Sequence, residues 1–275
     1  MELTHNIKGQ VAEFWDRGSC GTSVTAAEKY SRQYFEEIEE YRYQVEAEIF
    51  SFAQFTRYHG KRVLEVGIGA GTDFLQWIRA GAEAYGIDLT EESVRNVQQR
   101  LSAYGMKAAD VRVSDAEKLP YQDNYFDLVY SWGVIHHTEN TLKALEEIIR
   151  VAKPGGTIKV MVYNRRSIVA LQLYLQYGLL RGKPFRSISD ILWHHQESIG
   201  TKAYTIEEMK NILSRYPVMI RSIHAKVTSY DLQWNYDVKV NKIGLVRCAL
   251  YGLACILGIN RCGWFLTIEI KKEIA

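Results

Sequence analysis

A buried-looking carboxylate, three alternate glycines, two later acidic positions and a histidine pair are the residues of this chain best suited to chemistry. Glu65 sits in the apolar run Val63-Leu64-Glu65-Val66, which ends in Gly67-Ile68-Gly69-Ala70-Gly71. Alternate glycines let the backbone turn tightly and leave no side chain where a ligand lies against it. A carboxylate in an apolar strand is costly unless paired or hydrogen-bonded, so Glu65 asks for a positively charged or donor-rich partner. Asp88 ends a second strand pattern, about 20 residues beyond the glycines, where a carboxylate can accept hydrogen bonds from two ribose hydroxyls. It can equally cap the helix opening at Glu91 and Glu92, although Thr90 suits that role. Asp115-Ala116-Glu117 follows a third strand-like run. His136 and His137 close the stretch from Tyr125 to Thr138. A histidine, with its pKa of about 6.5, can take a proton from a phenol, enol or thiol at neutral pH; either one can instead cap or pack the next helix.

Glycine spacing separates the ligand classes. A dinucleotide fingerprint needs Gly-x-Gly-x-x-Gly. Here the third glycine comes one residue early and Thr72 takes the last place, which argues against a nicotinamide oxidoreductase. Glu-x-Gly-x-Gly-x-Gly instead resembles the first motif of the class I S-adenosylmethionine-dependent methyltransferases. Phe126-Asp127-x-Val129, His136-His137 and Arg150-Val151-x-Lys153-Pro154-Gly155-Gly156 follow in order. Together they resemble the ubiquinone and menaquinone C-methyltransferase branch over residues 61–163.

The resemblance implies S-adenosylmethionine as cofactor and S-adenosylhomocysteine as product. It implies cofactor contacts from Glu65, Gly67, Gly69, Gly71, Asp73, Asp88, Leu89, Asp115, Ala116, Glu117, Trp132 and Tyr30, with an acidic side chain of 115–117 beside the adenine amino group. The implied reaction moves a methyl group by in-line displacement onto O, N or C of a small organic acceptor, for which a hydrophobic or aromatic molecule is one option, without a metal. His137 is the first candidate base; His136 and Tyr163 lie on the same edge. The alternative is a protein that binds the cofactor as a sensor or partner and transfers nothing.

Composition sets limits. The chain has 275 residues, 47% of them apolar, and a net charge of +2. That is enough for one domain with additions. No dense basic run demands a nucleic-acid partner, and Ser131-Trp132-Gly133 stands where a DNA amino-methyltransferase would carry an Asn/Asp-Pro-Pro-aromatic loop. Residues 1–10 are polar and resemble no secretory leader, so a cytoplasmic location with reduced thiols is expected. Oligomeric state is not encoded legibly. Cys20 stands apart, while Cys248, Cys255 and Cys262 recur every seven residues. Without a Cys-x-x-Cys pair, core packing on a helix face is the expected explanation rather than metal.

The elements that must position these residues follow from periodicity. Residues 11–16 and 26–55 read as helices, with Tyr34, Phe35, Ile38, Tyr41, Val45, Ile49 and Phe52 forming one stripe. The first 60 residues either pack against the sheet or the site mouth or form a lid, whose Phe14, Trp15, Tyr30 and Tyr34 would offer faces to a sulfonium cation. Arg42 meets either the cofactor's carboxylate or a neighbouring glutamate. Alternating strand and helix patterns over 61–163 require parallel strands with helices on both faces. The expected fold is therefore α/β, a Rossmann-like seven-stranded sheet, mostly parallel with an antiparallel last strand. A cap insertion follows at 164–204, holding the polar cluster His194, His195 and Glu197, which is read as shaping the substrate pocket. Thr205 and Glu208 form a capping box. Strands at 219–227 and 264–271 end the sheet, with a helical insertion at about 228–262 between them. Apolar helices at 168–180 and 243–259 are too short to span a bilayer. They leave three readings open: buried caps, a hydrophobic substrate channel, or interfacial contact with a membrane.

Overall fold

The apolar runs between the glycine and acidic positions become strands of one sheet, in a computed structural model that describes residues 6–19, 21–232 and 244–274 (backbone alone for 244–248). The N-terminal elements are α1 (Ile7–Asp16), α2 (Arg32–Val45) and α3 (Glu48–Ala53). The core follows as β1 (Arg62–Val66), α4 (Thr72–Arg79), β2 (Glu83–Asp88), α5 (Glu91–Tyr104), β3 (Asp110–Val113), β4 (Phe126–Trp132), α6 (Thr141–Val151) and β5 (Ala152–Asn164). The cap adds α7 (Ile168–Tyr177) and α8 (Ile188–His195). Then come β6 (Ala203–Tyr204), α9 (Ile206–Leu213), β7 (Val218–Lys226), α10 (Gly244–Leu257) and β8 (Phe265–Lys272).

The strand order is β3-β2-β1-β4-β5-β8-β7, with β6 paired to β5. β1 to β6 pair in parallel, and β8 runs antiparallel between β5 and β7. The sheet thus has eight strands rather than the expected seven, because Ala203 and Tyr204 add a two-residue strand beside Tyr163 and Asn164. Chain order reverses at β1, which lies between β2 and β4, and ligands of open α/β sheets bind at the carboxyl ends of strands at such a point.

Strand alternation sorts the core into two faces. Val63 packs with Phe74, Trp77 and Tyr130 on one face, while Leu64 and Val66 pack with Ile148, Ile158 and Ile268 on the other. Glu65 shares the face of Val63, which turns its carboxylate toward α4. Pro154, Gly155 and Gly156 do not leave the sheet: they lie within β5 where its register against β4 shifts between Phe126 and Leu128. Gly155 has φ +73°, and a Cβ on Gly156 would stand 2.8 Å from the Lys153 carbonyl oxygen.

The N-terminal helices depart from the expected single run over 26–55. Tyr30 takes φ +69°, and α2 begins after it with Ser31 as N-cap, accepting from the Tyr34 amide at 3.1 Å. α3 is fastened to the sheet by Lys159, whose ammonium is fully buried. It donates to the carbonyls of Phe52 (2.6 Å) and Ala53 (3.3 Å) and to Gln54 Oε1 (2.9 Å). Burial pushes the Lys159 pKa down to about 8, against the pull of Glu269. The unfolded chain holds this proton up to a higher pH, so the native state gains stability between about pH 8 and 10.5. Wild type is therefore expected to gain on a Lys159→Met variant as pH rises through that window, in paired chemical-denaturation curves. A constant difference would mean an ordinary lysine.

The apolar insertions are only partly buried. Ile168, Val169 and Ala170 at the start of α7 are buried, as is Ala254 in α10. Leu171, Tyr251, Ile256, Leu257 and Ile259 are exposed, so burial does not explain the whole of either helix. The cysteine stripe fails with it: Cys255 is exposed, and Cys262 is buried but lies beyond the end of α10. Cys20 and the side chain of Cys248 lie outside the described residues. Among the described residues, no helix is long and apolar enough to cross a membrane.

Candidate functional site

A cavity opens at the carboxyl ends of β1, β2 and β4, and α1 lies across it. Of the sequence-derived candidates, Glu65, Gly67, Gly69, Asp73, Asp88, Leu89, Asp115, Ala116, Glu117, Trp132 and His137 line it. Gly71, Tyr30, His136 and Tyr163 do not.

The three glycines divide their work. A Cβ on Gly67 (φ +83°) would meet Val134 Cγ2 at 2.2 Å, and one on Gly71 (φ +76°) would meet Val97 at 2.7 Å. Those two glycines let the loop pack. Gly69 (φ +49°) has nothing within 4 Å of its absent Cβ, so its bare face looks onto the open cavity where a ligand would lie. Gly69→Ala is expected to weaken cofactor binding at a stability cost of about 1–2 kcal/mol, the left-handed penalty. Gly67→Ala should cost clearly more stability, because it adds a steric clash; melting curves paired with ligand titrations separate the two effects.

Asp88 holds the same loop. Its Oδ2 accepts from the Gly69 amide at 3.0 Å, and its Oδ1 from the Thr90 amide (3.1 Å) and hydroxyl (2.9 Å). Burial raises its pKa, and the Gly69 and Thr90 donors pull against that. Helix capping falls to Thr90, which accepts from the Ser93 amide, so Asp88 does not cap α5.

Glu65 has a donor and, among the described residues, no ion pair, although Arg42 acts on it electrostatically. It accepts from Trp77 Nε1 at 2.8 Å, and burial followed by the nearby Asp73 drives its pKa well above the usual carboxylate range. Asp73 is held by Arg42 Nη2 (3.2 Å), Tyr130 (3.1 Å) and Tyr43 (3.2 Å). Arg42 also pairs with Glu46 at 3.4 Å and itself lines the cavity. The expectation that Arg42 joins a neighbouring glutamate is met, and it reaches the ligand space besides. Trp132 lines the cavity while its indole donates to Glu46 at 2.7 Å.

Tyr30 is displaced from the expected cofactor site because its positive φ turns it toward α5. Its hydroxyl donates to Glu92 at 3.3 Å, and Lys29 lies over its ring. Tyr34 is buried against Phe35, and Phe14 is exposed beside Trp15. Of the four lid aromatics, only Trp15 lines the cavity.

Of the α1 residues at the cavity, the sequence singles out Trp15 but not Lys8 or Val11. Lys8 reaches Asp115 at 2.7 Å and Glu117 at 3.2 Å, and Val11 and Trp15 line the cavity. No local motif marks Lys8, since its partners stand more than a hundred residues away.

A polar cluster stands beside this cavity. His137 Nδ1 lies 3.0 Å from the hydroxyls of both Ser198 and Thr201, and its Nε2 lies 3.2 Å from Glu197 Oε2. Thr201 donates its own proton to the Ser198 carbonyl at 2.6 Å. Only Ser198 is then free to donate to Nδ1, and when it does, the ring proton sits on Nε2, which lies near the Glu197 carboxylate without forming a hydrogen bond to it. The same Glu197 oxygen accepts from the Tyr163 hydroxyl at 2.8 Å. Glu197 has φ +54°, a costly conformation for a residue with a Cβ. Trp15 meets the His137 ring edge-on at 5.4 Å.

His136 is a different case. It is fully buried between His137 (4.2 Å) and Tyr163 (4.0 Å), and neither ring nitrogen has a hydrogen-bond partner among the described residues. Burial holds its pKa well below the ordinary value, so it stays neutral and cut off from the cavity. Its surroundings are those of a packed core side chain, and it does not line the cavity. Neither His194 nor His195 lines the cavity: His195 stacks on Tyr177 of α7 at 4.2 Å, and His194 Nδ1 turns back to the Asp190 carbonyl of its own helix at 2.8 Å.

Comparison with known proteins agrees with this geometry. Residues 64–160 match the family model described as a methyltransferase domain. Norajmaline N-methyltransferase of Rauvolfia serpentina is 34% identical over 110 residues, which are 39% of this chain and 38% of that protein. The ubiquinone/menaquinone biosynthesis C-methyltransferase of Burkholderia mallei is 34% identical over 120 residues, 42% of this chain and 49% of that protein. The chain thus spans less than half the length of these curated relatives. Geranyl diphosphate C-methyltransferase of Streptomyces coelicolor A3(2), solved with Mg²⁺, geranyl diphosphate and S-adenosyl-L-homocysteine, shares the fold. Its TM-score is 0.62 at 11% identity, with 98% of this chain and 99% of that one covered.

Proposed function

We propose that this chain, whose core is a class I S-adenosylmethionine-dependent methyltransferase domain, transfers a methyl group to O, N or C of a small organic acceptor. The observation that carries the reading is the open face of Gly69, held by Asp88 and lining one cavity with the Asp88 and Glu65 carboxylates at the switch point of the sheet. The donor set fits S-adenosylmethionine. Asp88 offers carboxylate oxygens to ribose hydroxyls, and Asp115 to the adenine amino group once Lys8 yields. Arg42, which lines the cavity while paired with Asp73 and Glu46, is placed for the carboxylate of the aminoacyl end, and Glu65 for its ammonium. When bound, the cofactor supplies a methyl on a sulfonium, which leaves a neutral thioether on transfer.

The protein's part is alignment, exclusion of water and removal of a proton. α1 covers the cavity, and Trp15 closes it beside His137. His137 and Glu197 form the proton-accepting pair: with its ring proton on Nε2, His137 takes the acceptor's proton at Nδ1 as the Ser198 hydroxyl turns from donor to acceptor, the carboxylate 3.2 Å away stabilises the imidazolium, and Tyr163 fixes that carboxylate's position. An acceptor with an ionisable O–H, N–H or activated C–H matches this pair best. The two curated relatives are named as an N- and a C-methyltransferase, which supports a small-molecule acceptor without choosing the atom.

Incubating the purified protein with cofactor labelled in its methyl group and a cell extract tests the reading. Labelled small-molecule product is expected. Tight binding of S-adenosylhomocysteine with no product from any acceptor would instead mean a protein that binds the cofactor and transfers nothing.

A further inference from the structure

The cap insertion ends α7 in a tip that the proposed chemistry does not use. Residues 178–186 read Gly-Leu-Leu-Arg-Gly-Lys-Pro-Phe-Arg. Phe185 is 100% exposed, Leu180 77% and Leu179 49%. Scattered exposed apolar residues need no explanation, but three large ones on one tight turn do.

The turn is built to present them. The Gly178 carbonyl accepts from the amides of Arg181 (3.2 Å) and Lys183 (2.9 Å), and the Leu179 carbonyl from Gly182 (3.1 Å). Tyr174 of α7 donates its hydroxyl to the Pro184 carbonyl at 2.7 Å. Gly182 takes φ +68°, which closes the turn. A side chain as large as Phe185, held out by a fastened backbone, has no contact to lose when it enters another medium.

Charge gives the occupant. From residue 164 to residue 189 the chain holds Arg165, Arg166, Arg181, Lys183 and Arg186 and no carboxylate. Arg165, Arg166 and Arg186 pair with Glu208, Glu207 and Asp190. Arg181 and Lys183 are exposed and, among the described residues, join no ion pair. Two free cations interleaved with Leu179, Leu180 and Phe185 match an anionic lipid surface, where apolar side chains enter the acyl boundary and cations meet headgroups.

We propose that the 178–186 tip docks this protein peripherally on anionic membranes. One helix joins the tip to the site: α8 starts at Ile188 and ends one residue before Gln196, and its eight residues span about 12 Å. Glu197 follows directly. A docked tip therefore holds the His137–Glu197 cluster within reach of the lipid surface, but binding itself does not depend on the methyl-transfer reading.

Co-sedimentation of the full chain with phosphatidylcholine vesicles, with and without phosphatidylserine, tests the proposal. Binding is expected on the serine-containing vesicles and should weaken with added salt. Arg181→Gln with Lys183→Gln should lower it roughly tenfold or more, as should Leu180→Ser with Phe185→Ser. Unchanged melting temperatures would show that both variants are folded. Three results overturn the proposal. They are no vesicle binding by wild type, equal binding to neutral vesicles, or variants that bind as wild type does. Loss of a dimer in the variants without any vesicle binding would assign the tip to a second copy instead.

Discussion

Asp88→Ala is expected to weaken binding of S-adenosylhomocysteine by about 1–3 kcal/mol, a loss of about 5- to 150-fold. Two losses combine. The ribose hydroxyls would lose their acceptor, and the Gly69 amide would lose the Asp88 oxygen that holds it at 3.0 Å. The loop whose open face receives the cofactor would then be free to shift. Asp88→Asn separates the contributions, because one amide oxygen can still accept from Gly69 while the negative charge is gone. Calorimetric titration is the measurement, and affinity unchanged in the alanine variant would remove Asp88 from the ribose role. The Thr90 cap on α5 survives the substitution, so a collapse of the fold is not the expected result.

His137→Ala is expected to lower turnover roughly 10²-fold or more while leaving cofactor affinity close to wild type. The split follows from geometry: His137 lines the cavity, but its polar contacts run to Ser198, Thr201 and Glu197, away from the glycine loop. Glu197→Gln keeps a side chain of the same size beside Tyr163 and removes the charge that stabilises a protonated ring. Its turnover should fall less than that of His137→Ala. Single-turnover rates with a fixed acceptor would make the comparison. A loss of less than a few-fold in His137→Ala would leave the histidine a structural part of the cap, and alignment alone would then carry the reaction.

The cofactor side of this site was legible because it is local. Gly67, Gly69 and Gly71 follow one strand without a break, and Asp88 ends the neighbouring strand, in register through the pairing of Val66 with Ile87. Parallel strands joined by short helices bring such residues together whatever the rest of the chain does. The acceptor side is built otherwise. Ser198 lies 61 positions from His137, and Thr201 lies 64. The cofactor side meets the same limit at Lys8, which lies 107 positions from Asp115. Tyr30 shows the same limit in reverse: an aromatic in the expected lid is turned away by one backbone angle that no periodicity reveals.

Charge and burial show the division most clearly. Sequence alone determined that Glu65 needs a partner, that the loop after it admits a ligand, and that Asp88 stands one strand away. These depend on residue type and on distances along one strand-turn-helix unit, which backbone geometry sets. Only the tertiary structure decided that Trp77 supplies the Glu65 donor, that His136 is sealed in the core while His137 faces the cavity, and that Leu180 and Phe185 point into solvent. Each of those outcomes depends on which distant segment packs against a side chain, because packing removes water from one neighbour and leaves it on the next.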